Sequence, residues 1–337
     1  KPSLDTAKAG AMRFNTDSNQ MEIYDGNQWT GILATSPEHE TGGTRGFGAG
    51  GAPFTVQIQS WNINTASSAI DFSDLTANRQ YIGNGQASSR TRGLFMGGRD
   101  PSDNYLNEIE YITMSSTGDA LNFGDLSDHG HYAIVGSSSI RGVAIGRYDG
   151  SNVVNVIDYV TIASTGDAKD FGDAVSTISD GAAGASPTRM LAFGGNAPSK
   201  VNTIQYITIS TLGNASDFGD LTNATRSQVS GSSNAVRACT YGGHDGSSRV
   251  DHIEFVTIAT LGNSQDFGNL TTTRRIANAT SSSTRGLISG GYEDPSIVDT
   301  MEYIQFASTG DAIDFGNLHT ARYAMTGAAS NGHGGLG

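Results

Sequence analysis

Four loops of this chain combine carboxylates with tyrosine or histidine, a composition suited to binding sugars or cations. Each loop follows a short apolar strand that ends in Gly-Gly or Gly-Arg. Tyrosine rings can stack on pyranose rings, and clustered carboxylates could hold Ca²⁺. Ordinary solvated turns have the same composition, so the sequence leaves both readings open. The candidate binding residues are Asp100, Asp103, Tyr105, Tyr148, Asp149, His244, Asp245, Tyr292, Glu293 and Asp294.

The other reactive residues form no catalytic or metal-binding pattern. The single cysteine, Cys239, excludes an internal disulfide and a cysteine-rich metal cluster. The seven histidines are scattered, and we expect the pair His129 and His131 to lie in a solvated loop. Asp-Phe-Gly recurs without the glycine loop, strand lysine or His-Arg-Asp of a kinase. We therefore predict no catalytic residue, no cofactor other than a possible Ca²⁺, and a non-enzymatic protein.

A block of roughly 48 residues is written six times, and the period indicates a repeat architecture. One landmark, the phenylalanine of Asp-Phe-Gly or its variants, recurs every 47 to 51 residues: Phe72, Phe123, Phe171, Phe218, Phe267 and Phe315. A second landmark, the arginine that opens an apolar strand, recurs every 47 to 49 residues: Arg45, Arg92, Arg141, Arg189, Arg237 and Arg285.

The sequence pattern of each repeat predicts four short strands. In the fourth repeat, residues 189–195 form an apolar run closed by two glycines, and residues 201–209 alternate in polarity with β-branched and aromatic residues. A Gly-Asn turn follows, as a hairpin with a positive-φ position requires. Residues 217–221 then form the return strand, and residues 227–233 form the last strand of the repeat.

Six sets of four antiparallel strands predict an all-β, six-bladed β-propeller over residues 44–337. The C-terminal strand, within residues 321–330, should pair with the strand at residues 45–51 and so leave no open edge. The third repeat has Gly146-Arg147 where others have Gly-Gly. We expect that repeat to be looser or altered.

Composition excludes several classes of partner. The chain of 337 residues carries 33 acidic and 20 basic residues, a net charge of −13, which would repel a phosphate backbone. We therefore expect no nucleic-acid partner. No apolar run reaches the 18 or so residues that a membrane span needs, so we also expect no membrane insertion.

The repeat motif resembles the kelch repeat. The motif consists of Arg-x4-Gly-x-Ser-Ser, then Arg-Gly-Leu-x-x-Gly-Gly, then an Ile-Glu-Tyr strand. It departs from kelch in the fourth strand, where the phenylalanine of Asp-Phe-Gly replaces a tryptophan. The resemblance covers almost the whole chain from residue 41 and implies a propeller.

Two further features resemble tail-fibre and structural proteins of marine, especially cyanobacterial, bacteriophages. One is the sequence motif of the repeat, Tyr-Ile-Thr-Ile-Ala-Ser-Thr-Gly-Asp-Ala-x-Asp-Phe-Gly-Asp-Leu. The other is the segment 10–29, which predicts a hairpin with strands at 12–15 and 20–24 around a turn at 16–19. Residues 1–33 would then form a small attachment hairpin, and residues 34–43 a linker to the propeller.

The resemblance implies a virion structural protein on the particle surface, either an exposed tail fibre or a capsid decoration. Its task would be recognition of, or attachment to, a host-surface glycan. The implied partners are other virion proteins, bound through the hairpin, together with further copies of the chain in a homo-oligomer. Two alternatives stay open: a sialidase-like, glycan-processing propeller enzyme, and an internal adaptor of the tail or baseplate.

Overall fold

The chain divides into two compact units, residues 1–40 and 41–337. A computed structural model describes residues 8–15, 20–32, 44–197, 199–222 and 227–337. These residues form strands and turns, with no α-helix among them and a short 3-10 turn at Gly334–Leu336. The predicted all-β class is confirmed. The predicted linker at 34–43 and the hairpin turn at 16–19 lie outside the described residues.

The first unit contains an antiparallel sheet of three strands: β1 (Met12–Asn15), β2 (Gln20–Tyr24) and β3 (Trp29–Ile32). The sequence predicts the first two, and the third follows the turn at Asp25. Alternation along β1 places Arg13 on one face, where it forms an ion pair of 2.6 Å with Glu22 and lies 4.1 Å from the Trp29 ring centroid. The other face carries exposed Met12 and Phe14.

The second unit contains the repeats, and four of them form four-stranded antiparallel sheets. In each sheet the short strand stands at one edge and the Asp-Phe-Gly strand at the other. The sheets are β11 (Ile134–Ser137), β12 (Arg141–Tyr148), β13 (Val153–Thr161) and β14 (Lys169–Asp173); β15 (Ala182–Ala185), β16 (Arg189–Phe193), β17 (Thr203–Thr208) and β18 (Ser216–Asp220); β19 (Ser230–Ser233), β20 (Arg237–Tyr241), β21 (His252–Thr257) and β22 (Gln265–Asn269); and β23 (Asn278–Ser281), β24 (Arg285–Ser289), β27 (Thr300–Gln305) and β28 (Ile313–Asn317). Between β24 and β27 lies a small hairpin of β25 (Tyr292–Glu293) and β26 (Ser296–Ile297).

The first two repeats differ from this pattern. A five-stranded sheet has the order β6-β5-β4-β29-β7, and a three-stranded sheet has the order β10-β9-β8. The strands are β4 (Arg45–Ala49), β5 (Thr55–Asn62), β6 (Ile70–Arg79), β7 (Gly85–Gln86), β8 (Arg92–Arg99), β9 (Tyr105–Thr113), β10 (Leu121–Asp125) and β29 (Gly327–Ser330). The short β7 pairs in parallel with β29 and keeps only an isolated bridge, Ser88 to Gly93, to β8. The predicted pairing of the chain ends is confirmed, because β29 pairs with β4 from Gly327↔Ala49 to Ser330↔Gly46.

The hydrophobic core lies between neighbouring sheets, as expected for a propeller-like arrangement in which a sheet is buried on both faces. One cluster joins Leu191 and Phe218 of the fourth repeat to Val256 and Ile258 of the fifth. Another joins Trp61 and Ile63 of the first repeat to Leu287, Met301 and Phe315 of the last. Apolar burial therefore continues across the boundary between the last and first repeats.

The structure explains why Phe-Gly recurs in the last strand of a sheet. Phe218 is buried, and Gly219 has φ +150° at a register shift between β17 and β18. A Cβ on Gly219 would lie 2.4 Å from the carbonyl oxygen of Gly262 in the next repeat, so only glycine allows this approach. The Gly262 N–H in turn donates to the Phe218 oxygen at 2.9 Å.

The recurrent arginine forms a contact that we call the arginine clasp. Arg189 Nη1 donates to the carbonyl oxygens of Ile258 and Ala259 at 3.1 and 3.0 Å, and its guanidinium lies 4.8 Å from the Tyr206 ring centroid. All six arginines bond to a carbonyl of the following repeat: Arg45 to Met114, Arg92 to Ile162, Arg141 to Ile209, Arg189 to Ile258, Arg237 to Phe306, and Arg285 to Ile63. The clasp of Arg285 joins the last repeat to the first.

The third repeat, expected to be looser or altered, is altered at Gly146-Arg147 but is not looser there. Arg147, at the altered glycine position, is 1% exposed and forms an ion pair of 2.9 Å with buried Asp158. Among the described residues, a buried arginine of the preceding loop forms the corresponding ion pair in two other repeats, as Arg79 does with Glu110 at 2.7 Å. The second repeat has Gly130 at that loop position, and a Cβ there would lie 2.7 Å from Arg147 Cδ. Arg147 therefore fills the space that the missing arginine leaves.

Candidate functional site

Six residues, one from each repeat, form a cycle of backbone hydrogen bonds that we call the six-residue ring. Each has a left-handed backbone, with φ between 52° and 63°. Each N–H donates to the carbonyl oxygen of its equivalent in the preceding repeat over 2.8 to 3.3 Å, and Tyr81 donates to Ala324. Left-handed non-glycine residues are uncommon and often occur at functional sites. The ring members are Tyr81, Tyr132, Asp180, Gln228, Ile276 and Ala324.

The predicted binding loops are anchored to this ring. The residue before each ring member forms an isolated antiparallel bridge with the start of the loop between the second and third strands of a sheet. For example, His131 and Tyr148 exchange backbone hydrogen bonds of 3.1 and 3.0 Å. The six bridges are Ala52–Tyr323, Gln80–Arg99, His131–Tyr148, Ser179–Asn196, Ser227–His244 and Arg275–Tyr292. Loops that are distant in sequence thus meet at one end of the sheets.

One side of the ring is aromatic, and we call it the tyrosine cluster: Tyr81, His131, Tyr132, Tyr105 and Tyr148. Ring centroids lie 4.6 Å apart for Tyr81 and Tyr132, and 4.2 Å apart for His131 and Tyr132. Tyr105 stacks on His131 at 4.9 Å and meets Tyr148 edge-on at 5.8 Å. Burial lowers the pKa of His131 to about 4, so the imidazole is neutral at physiological pH. The predicted solvated position of His131 is therefore wrong.

The adjoining side is polar, and we call it the polar cluster: Asp180, Asn196, Lys200, Gln228 and Arg275. Asn196 Nδ2 donates to Asp180 Oδ2 at 3.2 Å, and Arg275 Nη1 donates to Gln228 Oε1 at 2.6 Å. Asp180 is only 4% exposed. Burial raises the pKa of Asp180 to about 8, although the charges of Lys200 and Arg275 act in the opposite direction.

Tyr292 lies on the third side, against the end of the chain. Its ring centroid is 5.6 Å from that of Tyr323, and the guanidinium groups of Arg249 and Arg275 lie 5.2 and 5.3 Å from it. His244 links this side to the polar cluster, because its Nδ1 is 3.2 Å from Lys200 Nζ. The predicted Tyr105, Tyr148, Tyr292 and His244 thus all border the ring.

Three of the predicted carboxylates brace the loops. Asp100 accepts from the N–H groups of Ser102 and Asn104, Asp149 does the same for Ser151 and Asn152, and Asp245 for Ser247 and Ser248. These hydrogen bonds lower the pKa of each carboxyl, with the Asn104 side chain giving the largest effect at Asp100. The contacts are those of solvated Asx turns.

The other three carboxylates pair locally. Asp103 Oδ1 lies 3.1 Å from Arg99 Nη1, and Asp294 Oδ2 lies 2.8 Å from Arg249 Nη2. Glu293 accepts from Thr272 and lies 3.2 Å from Arg274 Nη2. These acids fix the loop shape and neutralise cations around the ring.

Metal binding has no ready set of ligands in the described parts of the chain, since no group of three or more His, Cys, Asp or Glu side chains converges there. Binding of Ca²⁺ by the loops stays a prediction.

Sequence reasoning missed the residues at the centre of the site, namely Tyr81, Tyr132, Asp180, Lys200 and Arg275. A signal was present in the alignment of the repeats. The position two residues after the loop arginine (Arg79, Arg226, Arg274 and Arg322 in the first, fourth, fifth and sixth repeats) changes type from repeat to repeat, while the framework around it stays constant. Variable positions on a constant frame are where binding residues concentrate.

No protein-family model matches the chain, and a search of the curated proteins finds no match either. The kelch and phage resemblances therefore rest on the residues quoted above. The described residues include no helix of the length and apolar character that crossing a membrane demands.

Proposed function

We propose that residues 44–337 close into a six-bladed β-propeller, and that the protein is a non-enzymatic recognition module of a phage virion. The six-residue ring would lie at one mouth of the propeller axis and contact a host-surface glycan. The observation that carries this proposal is the cycle of six hydrogen bonds, in which Tyr81 of the first repeat donates to Ala324 of the last at 3.1 Å. A chain of repeats that stayed open would have no reason to complete that cycle.

Three further contacts support closure. Strand β29 pairs with β4, Arg285 bonds to Ile63 and Asn64, and Ala69 N–H donates to the Asn317 oxygen at 2.8 Å. Each joins the last repeat to the first with the chemistry found between interior repeats. Closure removes sheet edges that would otherwise invite aggregation.

Recognition of a ligand is favoured by the diversity of the ring. Its six equivalent positions hold aromatic, acidic, amide and aliphatic side chains, on loops held by a rigid frame. Glycoside hydrolysis generally uses a pair of carboxyl groups on either side of the scissile bond. Among the described ring members the only carboxyl is that of Asp180, and the nearby loop carboxylates brace turns or pair with arginine. A binding role therefore accounts for the site better than an enzymatic one.

The virion setting rests on the resemblance of the repeats and of the N-terminal segment. The three-stranded sheet of the first unit adds a physical argument. One of its faces exposes Met12 (65%), Phe14 (53%), Met21 (39%) and Ile23 (37%). A small sheet with such a face requires a partner to bury it. Attachment to other virion proteins, with several copies of the chain in one assembly, would supply that partner.

Glycan and cell binding test the proposal. Wild-type protein should bind host cells and at least one glycan of a printed array, and Tyr132→Phe with Tyr81→Phe should weaken that binding about tenfold by removing two hydroxyls. The matched control, Tyr159→Phe, removes a hydroxyl from a tyrosine that packs on Phe171 and Arg141 away from the ring. Absence of binding to both cells and glycans would refute the recognition role. Mass spectrometry of purified phage particles would test the virion setting separately.

A further inference from the structure

The polar cluster carries positive charge at neutral pH. It holds two cations, Lys200 and Arg275, against the single carboxyl of Asp180, and burial raises the pKa of that carboxyl to about 8. Within the part of the chain that the structure describes, neither cation forms a salt bridge. Arg275 uses one N–H on Gln228, and Lys200 contacts His244, whose pKa is lowered mainly by burial and then by Lys200.

This positive site is an exception in an acidic protein. The chain has a net charge of −13, and two other cations near the ring are neutralised, Arg99 by Asp103 and Arg249 by Asp294. Holding two uncompensated cations close together costs free energy unless an anion joins them. The general field of the protein would repel an anion, so its binding would depend on this cluster.

The tyrosine cluster next to it has the chemistry that sugars need. Tyr81 and Tyr132 are half-buried, and desolvation raises the pKa of both, so they remain neutral hydroxyl donors. Tyr105 and Tyr148 are half-buried too, and their rings offer apolar surface beside those hydroxyls. Asp180 joins the two clusters, because it is the ring member that follows Tyr132 and its N–H donates to the Tyr132 oxygen at 2.9 Å.

We propose that the six-residue ring binds an acidic saccharide, with the anionic group at Lys200 and Arg275 and a sugar face against the tyrosine cluster. The inference rests on the proposed recognition function and narrows it to one class of glycan. The protonated Asp180 carboxyl would act as a hydrogen-bond donor to a sugar hydroxyl or to the anionic group. A neutral glycan would leave the two cations without a counter-charge.

A panel of uronic- and sialic-acid oligosaccharides, each beside its carboxyl-reduced counterpart, tests this inference on the full chain. We expect at least one acidic member to bind roughly tenfold tighter than its reduced form, as a charge-assisted contact predicts. Lys200→Gln and Arg275→Gln should each remove most of that preference. The matched control is Lys169→Gln, which removes an exposed charge from β14, away from the ring.

The outcomes separate the two proposals. Equal binding of an acidic saccharide and its reduced form would overturn the inference and leave recognition of glycans in place, as would binding by neutral glycans only. An equal loss of preference in Lys169→Gln would also overturn it, because general charge rather than the ring would then be responsible. No binding to the panel, the array or host cells would refute the recognition function itself. Circular dichroism of each variant distinguishes a lost contact from a lost fold.

Discussion

The arginine clasp and the six-residue ring both recur in all six repeats, but the residue type is constant in the clasp and variable in the ring. The clasp position holds arginine every time, from Arg45 to Arg285. The ring position holds tyrosine, tyrosine, aspartate, glutamine, isoleucine and alanine. The clasp is a side-chain contact that uses the planar guanidinium of arginine, whereas the ring is held by backbone hydrogen bonds that require no particular side chain. A ring built from the backbone leaves its side chains free for function.

The largest effect should follow from breaking the framework at Arg147. Arg147→Met leaves Asp158 charged and buried, and we expect the free energy of unfolding to fall by about 4 kcal/mol. Urea denaturation would measure the change. The double variant Arg147→Met with Asp158→Leu should recover at least half of that loss, because it removes the unpaired charge. A double variant no more stable than the single one would contradict a simple ion-pair account.

Within the ring, Asp180→Asn should stabilise the protein at neutral and alkaline pH. The unfolded carboxyl has a pKa of 3.8, whereas the folded one has a pKa of about 8. Between these values the unfolded state loses its proton while the folded state keeps it, so the stability of the wild type falls as pH rises. Well below pH 3.8 both states are protonated and the effect vanishes.

We expect Asp180→Asn to gain several kcal/mol at pH 9 and almost nothing at pH 3. Thermal melts across this pH range would check the sign. A gain that is the same at both ends would show that ionisation of Asp180 is not the cause.

Two clasp variants should be equivalent if the repeats close on themselves. Arg285→Ala removes hydrogen bonds from the last repeat to Ile63 and Asn64 of the first, and Arg189→Ala removes their interior equivalents. Each arginine also packs on a tyrosine ring. We expect both to cost about 2 kcal/mol in urea denaturation. A much smaller loss for Arg285→Ala would indicate an open array whose ends merely touch.

The smallest effect on stability belongs to a ring side chain. Gln228→Ala loses one hydrogen bond with Arg275 and keeps its backbone contacts, so we expect a loss below about 1 kcal/mol. Affinity for the bound glycan should nevertheless fall, because Gln228 orients Arg275. A stability loss as large as that of a clasp variant would remove the distinction between frame and site.

Repetition is what made the frame predictable from the sequence. The phenylalanine at Phe218 and the clasp arginine recur in all six repeats, and the glycine at Gly219 recurs in five, with Ser73 in the first. The six ring positions share no common residue type, because hydrogen bonds to neighbouring repeats, rather than glycine, hold their left-handed backbone. The buried position of His131 and the replacement of the loop arginine by Arg147 could not be predicted either, because both depend on contacts between segments far apart in sequence.

Amide hydrogen exchange of the six-residue ring tests the central claim most directly. The N–H of Tyr81 donates to Ala324 across the boundary between the last and first repeats, whereas those of Asp180 and Gln228 donate between interior repeats. If the repeats form a closed propeller, exchange measured by NMR should be comparably slow for all three amides, within about tenfold. Exchange of the Tyr81 amide faster than the other two by several orders of magnitude would contradict closure.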